Sequence, residues 1–263
     1  MANPAFNENT YDKFEQDGYL TPEGGGGYAQ AQAVPQLAEV MTVAGTINKT
    51  LILFAMMFAA AAFTWALVFG GGAALAMPLA LGSAIGAFIV GLVTCFRPKS
   101  APITAPIYAV LEGLFLGAIS AVFQTMYNGI VIQAVALTMG VFGIMLTVYR
   151  TGLIKVTEQL KMGVVAATGA IGITYLLSFI LNLLGNHAIS GFLWSNNPLN
   201  IGLSLVIVGV AAFNLLLDFD LVEKGVERRA PKFMEWYASY GLMVTLVWLY
   251  LELLRLLANL SRR

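Results

Sequence analysis

From Thr50 onward the chain alternates long apolar runs with short polar breaks. The runs recur at about 20 residues, the length a helix needs to cross about 30 Å of hydrocarbon. Seven are present, at about 48–69, 73–96, 102–126, 129–149, 163–185, 199–222 and 234–257. Continuous helices are the form they predict, because lipid offers no partner to an unpaired backbone group. Gly70-Gly71-Gly72, Arg97-Pro98-Lys99 and Tyr149-Arg150 end the first, second and fourth runs. The pattern therefore predicts an all-α integral membrane protein, a seven-transmembrane helix bundle occupying residues 46–260. Within it, Gly82-x-x-x-Gly86 and Gly113-x-x-x-Gly117 predict close backbone approach between helices, a packing signal that implies no activity.

Residues 1–45 follow a different pattern. They are polar, and residues 1–40 are acidic against a single lysine; Gly24 to Gly27 is followed by YAQAQAVPQ, and no apolar stretch of signal-peptide type is present. Such a segment buries too little apolar surface to offset its ordering entropy, so a disordered cytoplasmic tail is expected.

Composition agrees with the pattern: of 263 residues, 59% are hydrophobic and 11% charged, with a mean hydropathy of +0.79. Soluble domains carry about a quarter charged residues. Fourteen Lys+Arg balance fourteen Asp+Glu, which leaves no basic field for nucleic acid. One cysteine, Cys95, excludes a disulfide framework within the chain, and one histidine, His187, excludes an HExxH site.

Basic residues sit in alternate breaks: Arg97 and Lys99, then Arg150, Lys155 and Lys161, then Lys224, Arg228, Arg229 and Lys232. The positive-inside rule then places these breaks and the N-terminus in the cytoplasm and the C-terminus outside, with Arg262-Arg263 the one dissenting pair.

A charge at bilayer depth costs about 3 kcal/mol or more and marks pathways, so ionisable groups inside the runs are the candidate site residues. Glu112 lies about 15 Å into the third span and Asp218 about 6 to 8 Å inside the cytoplasmic end of the sixth, at 1.5 Å rise per residue. Asp218 and Asp220 are about 200° apart on a helix, so only one faces inward. Asn214, one turn before Asp218, makes Asp218 the inward choice. Asp220, with Glu223 and Glu227, then belongs to an interfacial face answered by Lys224, Arg228 and Arg229. Glu252 and Arg255 in the seventh span are three apart and are expected as an interfacial pair snorkelling to water, with a gate as the alternative. No Gly-x-Gly-Asp or Gly-x-Ser-x-Gly pattern supports an intramembrane hydrolase, so no enzyme activity is expected.

Three stretches together resemble the Bax inhibitor 1 (transmembrane Bax inhibitor motif) family: MTVAGTINKTLILF (41–54), PIYAVLEGLFLGAIS (106–120), and LLDFDLVEKG with WLYLELLRLL (216–225, 248–257). The resemblance covers about residues 41–260, and the Gly/Gln/Pro-rich tail and compact loops suggest a bacterial member. It implies a bundle whose seventh helix is central, and a pH-dependent calcium leak governed by an aspartate late in the sixth helix and another in the seventh. The first position falls on Asp218; the second falls on Thr245, which cannot titrate. The family also pairs its sixth-helix aspartate with an arginine near the end of the second helix, for which Arg97 is the nearest match.

Since Thr245 and Glu112 lie at similar depths, an Asp218/Glu112 carboxylate pair is expected to replace the aspartate pair, with protons competing against a cation there. The expected function is a pH-sensitive calcium-permeable leak channel or ion transporter with no resident cofactor, with Ca²⁺ transported or weakly bound at Asp218 and Glu112. The alternative is a non-conducting membrane regulator that binds other membrane proteins in stress or cell-death control. The expected location is the bacterial plasma membrane, and the expected partners are the lipid bilayer, calcium or other cations, and membrane proteins, with no nucleic acid.

Overall fold

The computed structural model describes residues 40–193 and 197–261. Among the described residues, seven helices are long and apolar enough to cross a membrane. They are α1 (Val43–Leu67), α2 (Ala73–Phe96), α3 (Ala101–Met126), α4 (Ile130–Arg150), α5 (Glu158–Leu183), α6 (Pro198–Glu227) and α7 (Met234–Ser261). A short helix, Ala188–Leu193, lies between α5 and α6. Most bounds fall within a few residues of the apolar runs. The charged end of α6 extends five residues past its run, because Asp220 and Lys224 face each other one turn apart and continue the helix into the polar break.

Local chemistry sets the ends. Thr42 caps α1, its hydroxyl accepting from the Gly45 N–H at 3.0 Å. The chain kinks over Val68–Gly72 between α1 and α2, where Gly71 sits at φ 95°, a left-handed conformation that favours glycine. Thr157 and Asn197 cap α5 and α6 in the same way as Thr42.

Helix α7 is the centre of the bundle: 72% of its most apolar stretch is buried, against 11% for peripheral α5. It packs against α1, α3, α4 and α6, while α2 packs on α3, and α5 on α6. One core joins α7 through Tyr237, Met243, Val247 and Leu254 to α1 and α3. A second joins Leu242, Leu246, Leu249 and Leu253 of α7 to Val208, Ala211, Leu215 and Leu216 of α6. The central helix expected from the family resemblance is thus formed.

The bundle starts earlier than residue 46. The Met41 N–H bonds the Ala230 carbonyl at 2.7 Å, Val40 bridges Pro231, and α1 is helical from Val43. Residues 41–45, placed in the tail by the sequence pattern, therefore belong to the bundle, because backbone pairing to the α6–α7 connection anchors them. The rest of the expected tail, residues 1–39, and the Arg262-Arg263 pair lie outside the described residues.

Candidate functional site

The inward face of α6 runs through Asn200, Ser204, Ile207, Val208, Ala211, Asn214, Leu215 and Asp218, all buried, at the three- and four-residue spacing of a single helix face. That face is polar at both ends and apolar in the middle. At its C-terminal end Asp218 is 1% exposed and Asn214 2%. The Asn214 amide donates to Thr168 Oγ1 of α5 at 2.8 Å and to the Val210 carbonyl at 2.9 Å. Asp220, half a turn on, pairs instead with Lys224 at 2.9 Å and with Lys161 of α5 at 3.5 Å.

Along α7 a matching polar stripe follows the spacing 245, 248, 252, 255, 259. Thr245 is buried and donates its hydroxyl to the Gly241 carbonyl at 3.3 Å. Farther along α7, Arg255 Nη2 lies 2.7 Å from Glu252 Oε2 and 3.5 Å from Ser204 Oγ of α6. Glu252 also accepts from Tyr175 of α5 and from the Trp248 indole, and the Arg255 guanidinium stands 5.5 Å from the centre of the Tyr175 ring. Asn259 completes the stripe; among the described residues neither its amide nitrogen nor its side-chain oxygen has a hydrogen-bond partner.

This overturns the interfacial, snorkelling placement of Glu252 and Arg255. Both are buried, at 4% and 7% exposure, because α5 and α6 cover that side of α7 and supply Tyr175 and Ser204 as partners. Between the Glu252–Arg255 cluster and Asp218, the leucines of α7 close against Val208, Ala211 and Leu215 of α6. From Asp218 to Ser204 is fourteen residues, about 21 Å at helical rise.

Glu112 sits elsewhere. It lines a crevice between α2, α3 and α7, with Tyr108 one turn before it on α3. Asp218 does not line that crevice, and α3 and α6 share α1, α4 and α7 as neighbours instead of forming an interface of their own. Arg97 is exposed at the end of α2 and forms no ion pair among the described residues. His187 lies in the α5–α6 connection beside Asn182. Among the described residues, no three His, Cys, Asp or Glu side chains cluster as a metal cage.

The pattern reading missed a buried carboxylate at the start of α7. Glu235, in the first turn of α7, is fully buried and accepts from the Thr42 N–H at 2.9 Å and the Thr42 hydroxyl at 3.0 Å. It also pairs with Lys232 at 3.1 Å and with Lys49 of α1. The available signal was Lys49, a lone cation inside the first apolar helix.

A sequence model of the family described as Bax inhibitor 1 like matches residues 3–262. No curated protein and no solved structure matches the chain.

Proposed function

Since the chain belongs to the Bax inhibitor 1 like family, we propose that it is a calcium-permeable leak of the membrane, closed in the conformation described here, with its path along the α5/α6/α7 seam. The observation that carries this reading is the buried face of α6, polar at both ends and apolar between. Asn and Ser on a buried face can join helices, as Asn214 does with Thr168, but a carboxylate buried there is costly, and such charges in a membrane usually mark routes for ions and water.

Asp218 supplies the full negative charge at the inner end. Asn214 spends its amide N–H groups on Thr168 and Val210, which orients its side-chain oxygen as a second ligand of the kind calcium prefers. Two such oxygens give weak, multi-step binding, as transit requires. At the outer end Glu252, Arg255, Asn259 and Ser204 form a polar vestibule. The Leu242–Leu253 row against Val208 and Ala211 is the barrier, since a dry apolar constriction stops ions without a steric plug. Thr245 brings no charge to the position of the second aspartate, so proton sensitivity of this leak rests on Asp218.

The test is calcium uptake into proteoliposomes loaded with a fluorescent indicator. Wild-type protein should raise uptake above protein-free vesicles, and Asp218→Asn should cut it about tenfold, the effect of removing the charged ligand from a site of few oxygens. Uptake unchanged by Asp218→Asn, or absent from wild-type vesicles, overturns the reading and leaves a non-conducting regulator.

A further inference from the structure

The crevice that holds Glu112 lies outside the seam and has chemistry of its own. We propose that it is a binding site for a hydrophobic ammonium ion drawn from the bilayer, with Glu112 as the counter-ion and Tyr108 and Tyr240 as the aromatic wall.

The cavity measures about 400 Å³, within the range of small-molecule sites. Its wall is apolar apart from Glu112, two tyrosine hydroxyls and Cys95, and none of its lining residues is basic. Glu112 is 8% exposed and eleven residues from the start of α3, near mid-bilayer depth. A carboxylate there needs a positive partner or a proton, and Tyr108, one turn before it in the same wall, supplies no charge.

The two tyrosines are held in place. Their rings meet edge to face, with centroids 4.9 Å apart and planes at 84°. The Tyr240 hydroxyl donates to the Gly91 carbonyl at 3.2 Å. Gly91 is what lets them stand so close to α2: a Cβ there would lie 3.0 Å from the Tyr240 oxygen and 3.4 Å from the Tyr108 ring. Aromatic rings fixed in the wall beside a carboxylate are the recognition chemistry of an organic ammonium.

The lining also discriminates among cations. A hard divalent ion takes six or more oxygen ligands, and one carboxylate with two phenols falls short. A zwitterionic phospholipid brings a phosphate that finds no Lys or Arg among the lining residues. A single-chain ammonium needs neither. Its tail has a route to the bilayer, because Phe88 and Leu92 of the same wall are exposed on the lipid side of α2.

Cys95, the chain's one cysteine, lines the crevice and reports on it. The full chain in nanodiscs is reacted with a membrane-permeant maleimide, alone or with dodecyltrimethylammonium, dodecanol or dodecyl phosphate at equal membrane loading. At about ten times its dissociation constant the ammonium should slow labelling about tenfold, as mass action on a blocked site requires. The alcohol and the phosphate should leave the rate unchanged. Glu112→Gln should label at the wild-type rate without ligand and lose the ammonium's protection. Ala84→Phe, which fills the crevice and spares Glu112, should lose it as well and serves if Glu112→Gln fails to fold. Equal protection by dodecanol, no protection by the ammonium, or protection surviving in either variant overturns the proposal.

Discussion

Glu252 and Arg255 form an ion pair at 2.7 Å with both side chains buried on the face of α7 that α5 and α6 cover. Removing one partner of such a pair strands a charge away from water, at a cost of about 3 to 5 kcal/mol. Replacing both with apolar side chains of similar volume removes the desolvation penalty along with the attraction. Glu252→Leu alone should therefore lower the melting temperature in detergent sharply, whereas Glu252→Leu with Arg255→Met should recover most of the loss. A double variant as unstable as the single one would show that Tyr175 and Ser204, not the ion pair, hold the α5–α6–α7 junction together.

The two small-residue pairs differ in what they pack against: Gly113 and Gly117 both meet the backbone of α1, whereas Gly86 meets only the Leu111 side chain, at 3.3 Å, and Gly82 meets nothing. A Cβ at Gly113 would lie 2.2 Å from the Met57 carbonyl oxygen of α1, and one at Gly117 would lie 2.3 Å from that of Ala61. At Gly82 it would meet nothing within 4 Å. Gly117→Ala should thus cost about 1 to 3 kcal/mol, the usual penalty of overpacking. Gly82→Ala should be neutral or stabilising. Thermal unfolding followed by tryptophan fluorescence reads both.

The same contrast shows what was legible before the fold was known. Apolar runs of bilayer length located the seven helices, because span length is a property of one segment and the solvent around it. The inward aspartate was also legible, since Asn214 and Asp218 share one helix face whatever packs on it. The burial of Glu252 and Arg255 was not, because it depends on Tyr175 and Ser204, which lie 77 and 51 residues away from their respective partners along the chain. Gly82-x-x-x-Gly86 and Gly113-x-x-x-Gly117 look alike as strings, and only the neighbouring helix distinguishes them. Glu235 was hidden for a related reason: its partners Thr42 and Lys49 lie at the other end of the chain.

Glu235 also fixes how the chain joins the bundle. Its carboxylate ties Thr42, Lys49 and Lys232 together where α1 and α7 begin, and Gly45 lies so close that an added Cβ would fall 2.1 Å from Glu235 Oε1. Gly45→Ala should push the carboxylate aside and loosen Met41 from Ala230 while the span itself stays helical. Glu235→Gln keeps the shape but leaves Lys49 without its counter-charge, and should cost about 3 kcal/mol. In both variants amide exchange at Met41 and Thr42 should accelerate more than exchange in the middle of α7. Uniform acceleration across α7 would mean that the contact stabilises the whole bundle and not the junction.

The apolar barrier of the seam makes the sharpest demand on the leak reading. Leu249 is fully buried and packs in the core that α7 shares with Ala211 and Leu215 of α6. Leu249→Ser puts a hydroxyl into the driest part of the path and lowers the free energy of wetting it, so basal calcium uptake should rise several-fold. Leu205→Ser, on the same helix as Ala211 but 62% exposed toward lipid, makes the same chemical change off the path and should leave uptake at the wild-type level. Both variants lose apolar burial or lipid contact, so a rise confined to Leu249→Ser separates wetting of the seam from general damage. Adding Asp218→Asn to Leu249→Ser should then reduce uptake again, because an open barrier still needs a charged ligand at the inner end to collect calcium. Uptake that rises equally in Leu205→Ser, or that ignores Asp218→Asn in the Leu249→Ser background, would place the path of any leak outside the seam.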